Sequence, residues 1–518
     1  MASPCHSSLE VSAPGLGPKG RTATFLTKVL SSQTCRRYAP GQCPDLAGFH
    51  PGLILRWLSC VPVERLAPVT APAAKDSFPS GLNNAFFFAT FNALSFQIVI
   101  GSPMVLYART LGASATVLGL ITGMMPLLVL FQIPAASYIS RVGYKRFVYA
   151  GWGIRVLFIF AMALIPLTRG FLDVTTRLAL SLALLFGFNL SRGISSAGWL
   201  PWISSLVPAS IRGKYLARDA AFVNVACFVS CILAAVGLGS TPRPWQFAVL
   251  FAFSAVMGSV SLVFLKRIPE GAAPEEESRS KGVVPWLTML QFKPFKKLLM
   301  MVLAWAVAFG GVQAFTVVYL KAAAGMDEGR VLFVTSIYFV GGLSSLWFLG
   351  SRLDGLGSKP VLTFSFAIWL LLLAVWTLLA GGVISAGLGL LLGLQFLMGL
   401  FAALVQMSNT RLVMAIAPAM GRNHFFALFS VITSVTQGLA PIGWGILIDA
   451  VGARHVAWLG LDWNGFTLFF AAVGAILLLA LPLARRLDEP DAASLEKLLR
   501  EILIESPQRF LVRLWQRE

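Results

Sequence analysis

The sequence predicts an all-α polytopic membrane protein, with twelve transmembrane helices in two six-helix pseudo-repeat bundles, and three observations carry that expectation. Of 518 residues, 57% are hydrophobic and only 12% charged, too little polar surface to cover a soluble globule of this size. Apolar stretches of about 20 residues recur along the chain, the length a bilayer core demands, and continuous stretches of that kind satisfy their backbone groups as helices. Two loop motifs also recur at a nearly constant offset, the mark of an internal duplication.

Residues 1–81 carry many Pro, Ser and Gly, scattered charges and no sustained apolar period, and are expected to form a disordered cytoplasmic extension. The run from Gly52 to Val63 contains Arg56 and is too short to span a membrane; nothing after it resembles a cleavage site, so no secretory signal is expected. The first bundle, 82–265, holds spans near 84–106, 114–138, 147–167, 178–206, 217–239 and 244–265. A connector at 266–296, with Glu275, Glu276 and Glu277 beside basic residues, reads as a solvated cytoplasmic linker. The second bundle, 297–486, holds spans near 297–320, 330–350, 360–380, 384–415, 423–449 and 463–484. In the tail, 487–518, Leu495, Leu498, Leu499 and Ile502 fall at i, i+3, i+4 and i+7, which makes a cytoplasmic amphipathic helix for the bundle surface or the membrane interface.

Basic residues set the orientation, because they translocate poorly. Beyond the N-terminal extension, twenty-three Lys and Arg fall on the side of the termini and seven on the other: Arg109, Arg169, Arg177, Arg243, Lys321, Arg330 and Arg454. Both termini are therefore expected in the cytoplasm, with a bacterial cytoplasmic (inner) membrane as the expected location. The net charge of +19 is scattered between apolar spans rather than gathered on one face, so no nucleic acid is expected as a partner. Cys5, Cys35, Cys43 and Cys60 lie in the extension, and Cys227 and Cys231 one helical turn apart inside a span. No tight His, Cys or carboxylate spacing accompanies them, and neither a metal nor a cofactor is expected.

The duplication is visible residue by residue. Ser140-Arg141-Val-Gly143-Tyr-Lys145-Arg146 follows the second span and Gly350-Ser-Arg-Leu-Asp354-Gly-Leu-Gly357-Ser-Lys359 the eighth, with Gly143 and Lys145 aligned on Gly357 and Lys359. Pro208, Arg212, Tyr215 and Ala217 after the fourth span align with Pro418, Arg422, Phe425 and Ala427 after the tenth. The chain here resembles the major facilitator superfamily, over about residues 82–486. That family's signature after the second helix, Gly-x-Leu-Ala-Asp-Arg-x-Gly-Arg-Lys, is matched by Arg141, Gly143 and Lys145, and its degenerate copy by Gly350, Asp354, Gly357 and Lys359. Ser140 stands where the family has aspartate and Ala136 where it has the first glycine. The resemblance implies a permease with a gating role for these loops; fixing topology is the plainer reading of the same residues.

Charge inside a membrane is costly and points to function. All 22 acidic residues fall in loops, tails or span ends, with Asp449 the nearest to a span interior, and none of the four histidines lies at mid-membrane. Proton coupling through a central carboxylate or imidazole is therefore not expected, and the coupling ion stays open. Arg192 lies near the middle of the fourth span, with Asn189 and Ser196 on the same helical face. It reads either as a substrate or gating residue or as a group bonding carbonyls within the bundle. In the family an arginine on the fourth helix recurs, although the Gln-Gly expected downstream reads Ser195-Ser196. Asn92, Gln97, Gln313, Gln395 and Gln406 are further cavity candidates, each with helix bonding as the alternative, and Arg411, in the cytoplasmic third of the tenth span, reads as facing the same cavity or reaching the interface. Arg155 reads as snorkelling to the headgroups, and Trp199 and Trp202 as interfacial anchors.

The sequence thus suggests a secondary active or facilitative transporter that moves a small anionic or zwitterionic organic solute by alternating access, acting as a monomer in the lipid bilayer. Broad efflux of amphipathic compounds is a second reading and a transporter-like membrane sensor a third. A membrane-embedded enzyme acting on lipid would require clustered catalytic residues near one interface, and no Ser-His-Asp constellation, metal-ligand cluster or phosphate-binding loop is found in the sequence, so enzyme activity is not expected.

Overall fold

The computed structural model describes residues 81–207, 211–270, 286–349, 357–416 and 422–487. The N-terminal extension to residue 80, residues 271–285 of the linker, the tail helix at Leu495 to Ile502, and Pro208, Gly350, Asp354 and Pro418 lie outside the described residues.

Among the described residues, twelve helices are long and apolar enough to cross a membrane. The first crossing combines α1 (Asn83–Ile100) and α2 (Ser102–Thr110); the second combines α3 (Ala115–Leu128) and α4 (Gln132–Val142), joined by a single tight turn. Next come α5 (Tyr144–Leu164), α6 (Val174–Leu206), α7 (Arg212–Leu238) and α8 (Pro244–Arg267). After a short α9 (Trp286–Gln291), the seventh crossing combines α10 (Lys293–Phe309) and α11 (Val312–Ala322). The last five are α12 (Glu328–Leu349), α13 (Ser358–Ala380), α14 (Leu388–Ile416), α15 (Arg422–Val451) and α16 (Gly465–Arg485). Between α15 and α16 stands a hairpin of β1 (Val456–Trp458) and β2 (Leu461–Trp463), antiparallel with Val456 opposite Trp463. An even number of crossings puts Asn83 and Arg485 on one face, the proximal face, and the hairpin on the distal one.

Local chemistry starts several of these helices. The Asp173 carboxylate accepts from the Thr176 amide at the start of α6, and Asn464 Oδ1 accepts from the amides of Phe466 and Thr467 at the start of α16, so orphan donors at both ends are satisfied. Leu157, Val236, Leu371 and Leu479 stand exposed on the outer surfaces, as lipid-facing residues do.

The two halves repeat each other in detail. In the first, α1 packs on α7 and α8, and α5 on α6 and α8; in the second, α10 packs on α15 and α16, and α13 on α14 and α16. Tyr215 at the start of α7 lies 5.1 Å, ring to ring, from Phe86 of α1, and its repeat mate Phe425 lies 4.9 Å from Phe295 of α10. Gly143 and Gly357, the other aligned pair, both have φ of +83° and precede the next helix of their half, a conformation that favours glycine.

The first and seventh spans, read from sequence as unbroken runs, are each interrupted at an equivalent point. Gly101 is extended and followed by Pro103, and Gly310 is followed by the left-handed Gly311. At the second break the indole Nε1 of Trp444 donates to the freed carbonyl of Val307 at 2.8 Å, so the interrupted ladder keeps its acceptor satisfied.

Between the halves, the distal contacts are backbone-close. A Cβ at Gly119 or Gly123 of α3 would collide with the carbonyl oxygens of Pro441 and Gly438 of α15, and one at Gly445 with that of Ala115. The amide of Gly329 at the start of α12 donates to the carbonyl of Gly239, just past α7, at 2.8 Å. The proximal part of the second crossing, α4, packs chiefly on α5 and α6 of its own half.

Candidate functional site

Helices α5 and α6 approach closely because Gly151 carries no side chain: a Cβ there would collide with Ser195, and Ser191 Oγ donates to the Gly151 carbonyl at 2.7 Å. One turn along α5 from that contact is Arg155, with 0% of its surface exposed. Its Nη2 donates to Asn92 Oδ1 of α1, and Trp152 Nε1 donates to the same oxygen at 3.2 Å. The guanidinium also lies 5.1 Å from the Trp152 ring centre and 5.3 Å from that of Phe188 on α6. Its Nε and Nη1 have no hydrogen-bond partner among the described residues.

Arg192 follows Phe188 by one turn on α6 and is half-buried. Among the described residues its guanidinium makes no hydrogen bond or ion pair, and Phe188, one turn before it, sets its ring against the Arg155 guanidinium. Among the described residues neither cation forms an ion pair with a carboxylate. Ring faces and an amide oxygen can solvate a guanidinium, but they leave its charge in place.

Arg155 therefore does not snorkel. The close approach at Gly151 turns its face inward, and Asn92, read from sequence as a cavity candidate, meets it there. Trp202 is likewise no lipid-facing anchor: it is fully buried, and its Nε1 donates to the Pro269 carbonyl at 3.0 Å. Trp199 is half-buried beside it, 4.8 Å from Phe88 and 6.3 Å from Trp152, so the aromatic side chains form one cluster on the proximal side of the arginines.

The remaining candidates are dispersed. Asn189 is buried and donates to the Leu185 carbonyl with its Oδ1 unpaired; Ser196 bonds the carbonyl of Gly193 in its own helix. Gln97 Nε2 contacts Cys231 Sγ at 3.4 Å, tying α1 to α7. Gln313, in the first turn of α11, is half-buried with its Nε2 unpaired among the described residues. Gln395 is buried with Oε1 unpaired, Gln406 is exposed, and Arg411 is half-buried. Of the loop residues, Arg141 is exposed, while Lys145 and Lys359 are half-buried.

Asp449, near the distal end of α15, has a partner that no charge pattern would reveal. Its Oδ1 accepts from the Ala115 amide at 2.9 Å and its Oδ2 from the Thr116 amide at 2.8 Å, so a carboxylate of one half caps the first turn of α3 in the other.

Comparison with known proteins places this architecture. The model of the Major Facilitator Superfamily matches residues 85–345 and again 315–515. Among solved structures, a D-xylose–proton symporter superposes with a TM-score of 0.62 at 14% identity, over 80% of this chain and 100% of its own. A variant of the nucleoside transporter NupG gives 0.61 at 11% identity, over 79% and 99%. The xylose transporter XylE from E. coli, in an inward open conformation, gives 0.57 at 14% identity, over 81% and 97%. A search of curated protein sequences returns no match. With twelve crossings in two repeated halves and family matches on both, the chain belongs to the Major Facilitator Superfamily and is a membrane transporter of small solutes.

Proposed function

We propose that the protein moves a small anionic organic solute by alternating access, its two halves rocking about a site beside Arg192. One observation carries this reading: a half-buried guanidinium inside the bundle, unpaired among the described residues, with a second arginine behind it that likewise has no carboxylate partner among them. A guanidinium so placed suits a carboxylate or phosphate, which it can grip through two parallel hydrogen bonds. A zwitterion with a carboxylate satisfies the same group. The backbone-close contacts of α3 with α15 and of Gly329 with Gly239 favour a conformation closed at the distal face. The excess of basic loop residues favours a cytoplasmic proximal face, with both termini inside. One chain supplies both halves, so a monomer suffices.

Flux into proteoliposomes, measured with matched anionic, cationic and neutral solutes, tests the reading. Anion flux is expected, lost in a folded Arg192→Ala variant and partly kept in Arg192→Lys. Anion flux indifferent to Arg192→Ala would sink the site, and flux confined to cations or neutral solutes would sink the anion reading.

A further inference from the structure

We infer that the site selects dianions over monoanions, because Arg155 adds a second uncompensated positive charge behind Arg192. The inference rests on the proposal that Arg192 meets an anion and goes further, to the class of that anion: a dicarboxylate or a phosphate monoester.

The argument is one of charge and of donors. Arg155 is wholly enclosed, and its single described hydrogen bond goes to a neutral amide oxygen that it shares with the Trp152 indole. Its Nε and Nη1 stay unused, which is costly for buried N–H groups unless another ligand reaches them or the charge serves at a distance. Trp152 and Phe188 offer ring faces, which lower the cost of burying the cation without cancelling it. Among the described residues no carboxylate forms an ion pair with either arginine: Asp449 caps α3 at the distal end, Glu328 is held by Lys321 at 2.8 Å on the same face, and Asp219 stands in the proximal part of α7 with its Oδ1 unpaired. An oxyanion held by Arg192 therefore also feels Arg155, through low-dielectric side chains that screen it far less than water does. A monoanion leaves one positive charge over; a dianion leaves none.

Arg155 on this account is a positioning and specificity residue, acting through the field at Arg192 even where it does not touch the solute. Asn92 and Trp152 hold it in place from two other faces, α1 and its own helix.

The test uses full-length protein in detergent or nanodiscs and small matched probes. Succinate is compared with succinamate and succinamide, and methyl phosphate with dimethyl phosphate, by the concentration needed for half-maximal thermal stabilisation. Each dianion is expected to act at about tenfold lower concentration than its monoanionic partner, the worth of one charge-assisted hydrogen bond. Arg155→Met should bring that ratio close to one, Arg155→Lys should keep most of it, and Arg192→Met should remove the response to both classes. Should Arg155→Met fail to fold, Asn92→Asp, which sets a carboxylate against Arg155, replaces it and carries the same expectation. A second readout is pH: the advantage of methyl phosphate over dimethyl phosphate should fade as pH drops through its second ionisation, near about 6. Equal potency of monoanions and dianions in the unaltered protein overturns the inference and leaves the anion reading standing. Stabilisation by neutral solutes alone overturns both, and failure of every dianion to stabilise the protein overturns the inference.

Discussion

The carboxylate of Asp449 holds the amides of Ala115 and Thr116, at 2.9 and 2.8 Å, so the last turn of α15 in one half is bonded to the first turn of α3 in the other. Ser114 also serves this turn, its Oγ accepting from the Val117 amide at 3.4 Å, so two side chains from different halves cap one helix. Alternating access requires such a contact to break when the distal face opens. Replacing Asp449 by Ala is expected to favour the distally open state by about 1 kcal/mol, roughly fivefold in population, as loss of a helix cap does. Distances between spin labels on the distal ends of α3 and α15 measure it; unchanged distance distributions would rule out a latch.

The glycines beneath that latch set how closely the halves can meet. Gly119 and Gly445 face backbone rather than flexible side chains, so Gly119→Val and Gly445→Leu cannot be accommodated by rotamer changes. Both variants should resist distal closure and lower the transport rate, while the level of folded protein in the membrane changes little. Accessibility of a single cysteine at Thr116 to a membrane-impermeant thiol reagent should rise in both.

Gly143 and Gly357 share φ of +83° and ψ near the extended range, a region that side chains with a Cβ enter only under strain. Alanine at either position is expected to cost about 1–3 kcal/mol. Because the two backbones are nearly superposable, the two losses should be similar, which thermal denaturation in detergent can check. A large loss at one and none at the other would mean that the loops have diverged in structure.

Asn92→Asp separates stability from function. A carboxylate in place of the amide oxygen supplies the counter-charge that Arg155 lacks, and the midpoint of thermal denaturation is expected to rise. Anion transport should fall in the same variant, since the net positive charge of the site has dropped. A variant that is less stable and transports anions at the original rate would contradict the assignment of Asn92 and Arg155 to one charged site.

Run length and repetition made the twelve crossings readable, because lipid demands long apolar helices, and the second repeat match aligned Tyr215 with Phe425, whose equivalent ring contacts only the structure shows. Arg192 was legible for the same reason, as a charge in the middle of an apolar span. Arg155 was misread because its distance along the span suggested the headgroups, whereas its environment depends on Gly151 and on Asn92, 63 residues away in the chain. The breaks in the first and seventh spans had a local signal, Gly101-Ser-Pro103 and Gly310-Gly311, that the hydropathy of their surroundings obscured. The partners of Asp449 are backbone amides, which no pattern of side chains encodes.

The uncompensated arginines also constrain how the chain is made. Arg155 and Arg192 sit in consecutive crossings, and each charge near a helix centre costs about 2.5–3.5 kcal/mol during membrane insertion. Neither crossing brings an acid to offset its own arginine, while the amide that receives Arg155 is on α1, already synthesised when α5 emerges. Insertion of the third crossing is thus favoured by docking against the first, so biogenesis of this half depends on the order in which its helices leave the ribosome.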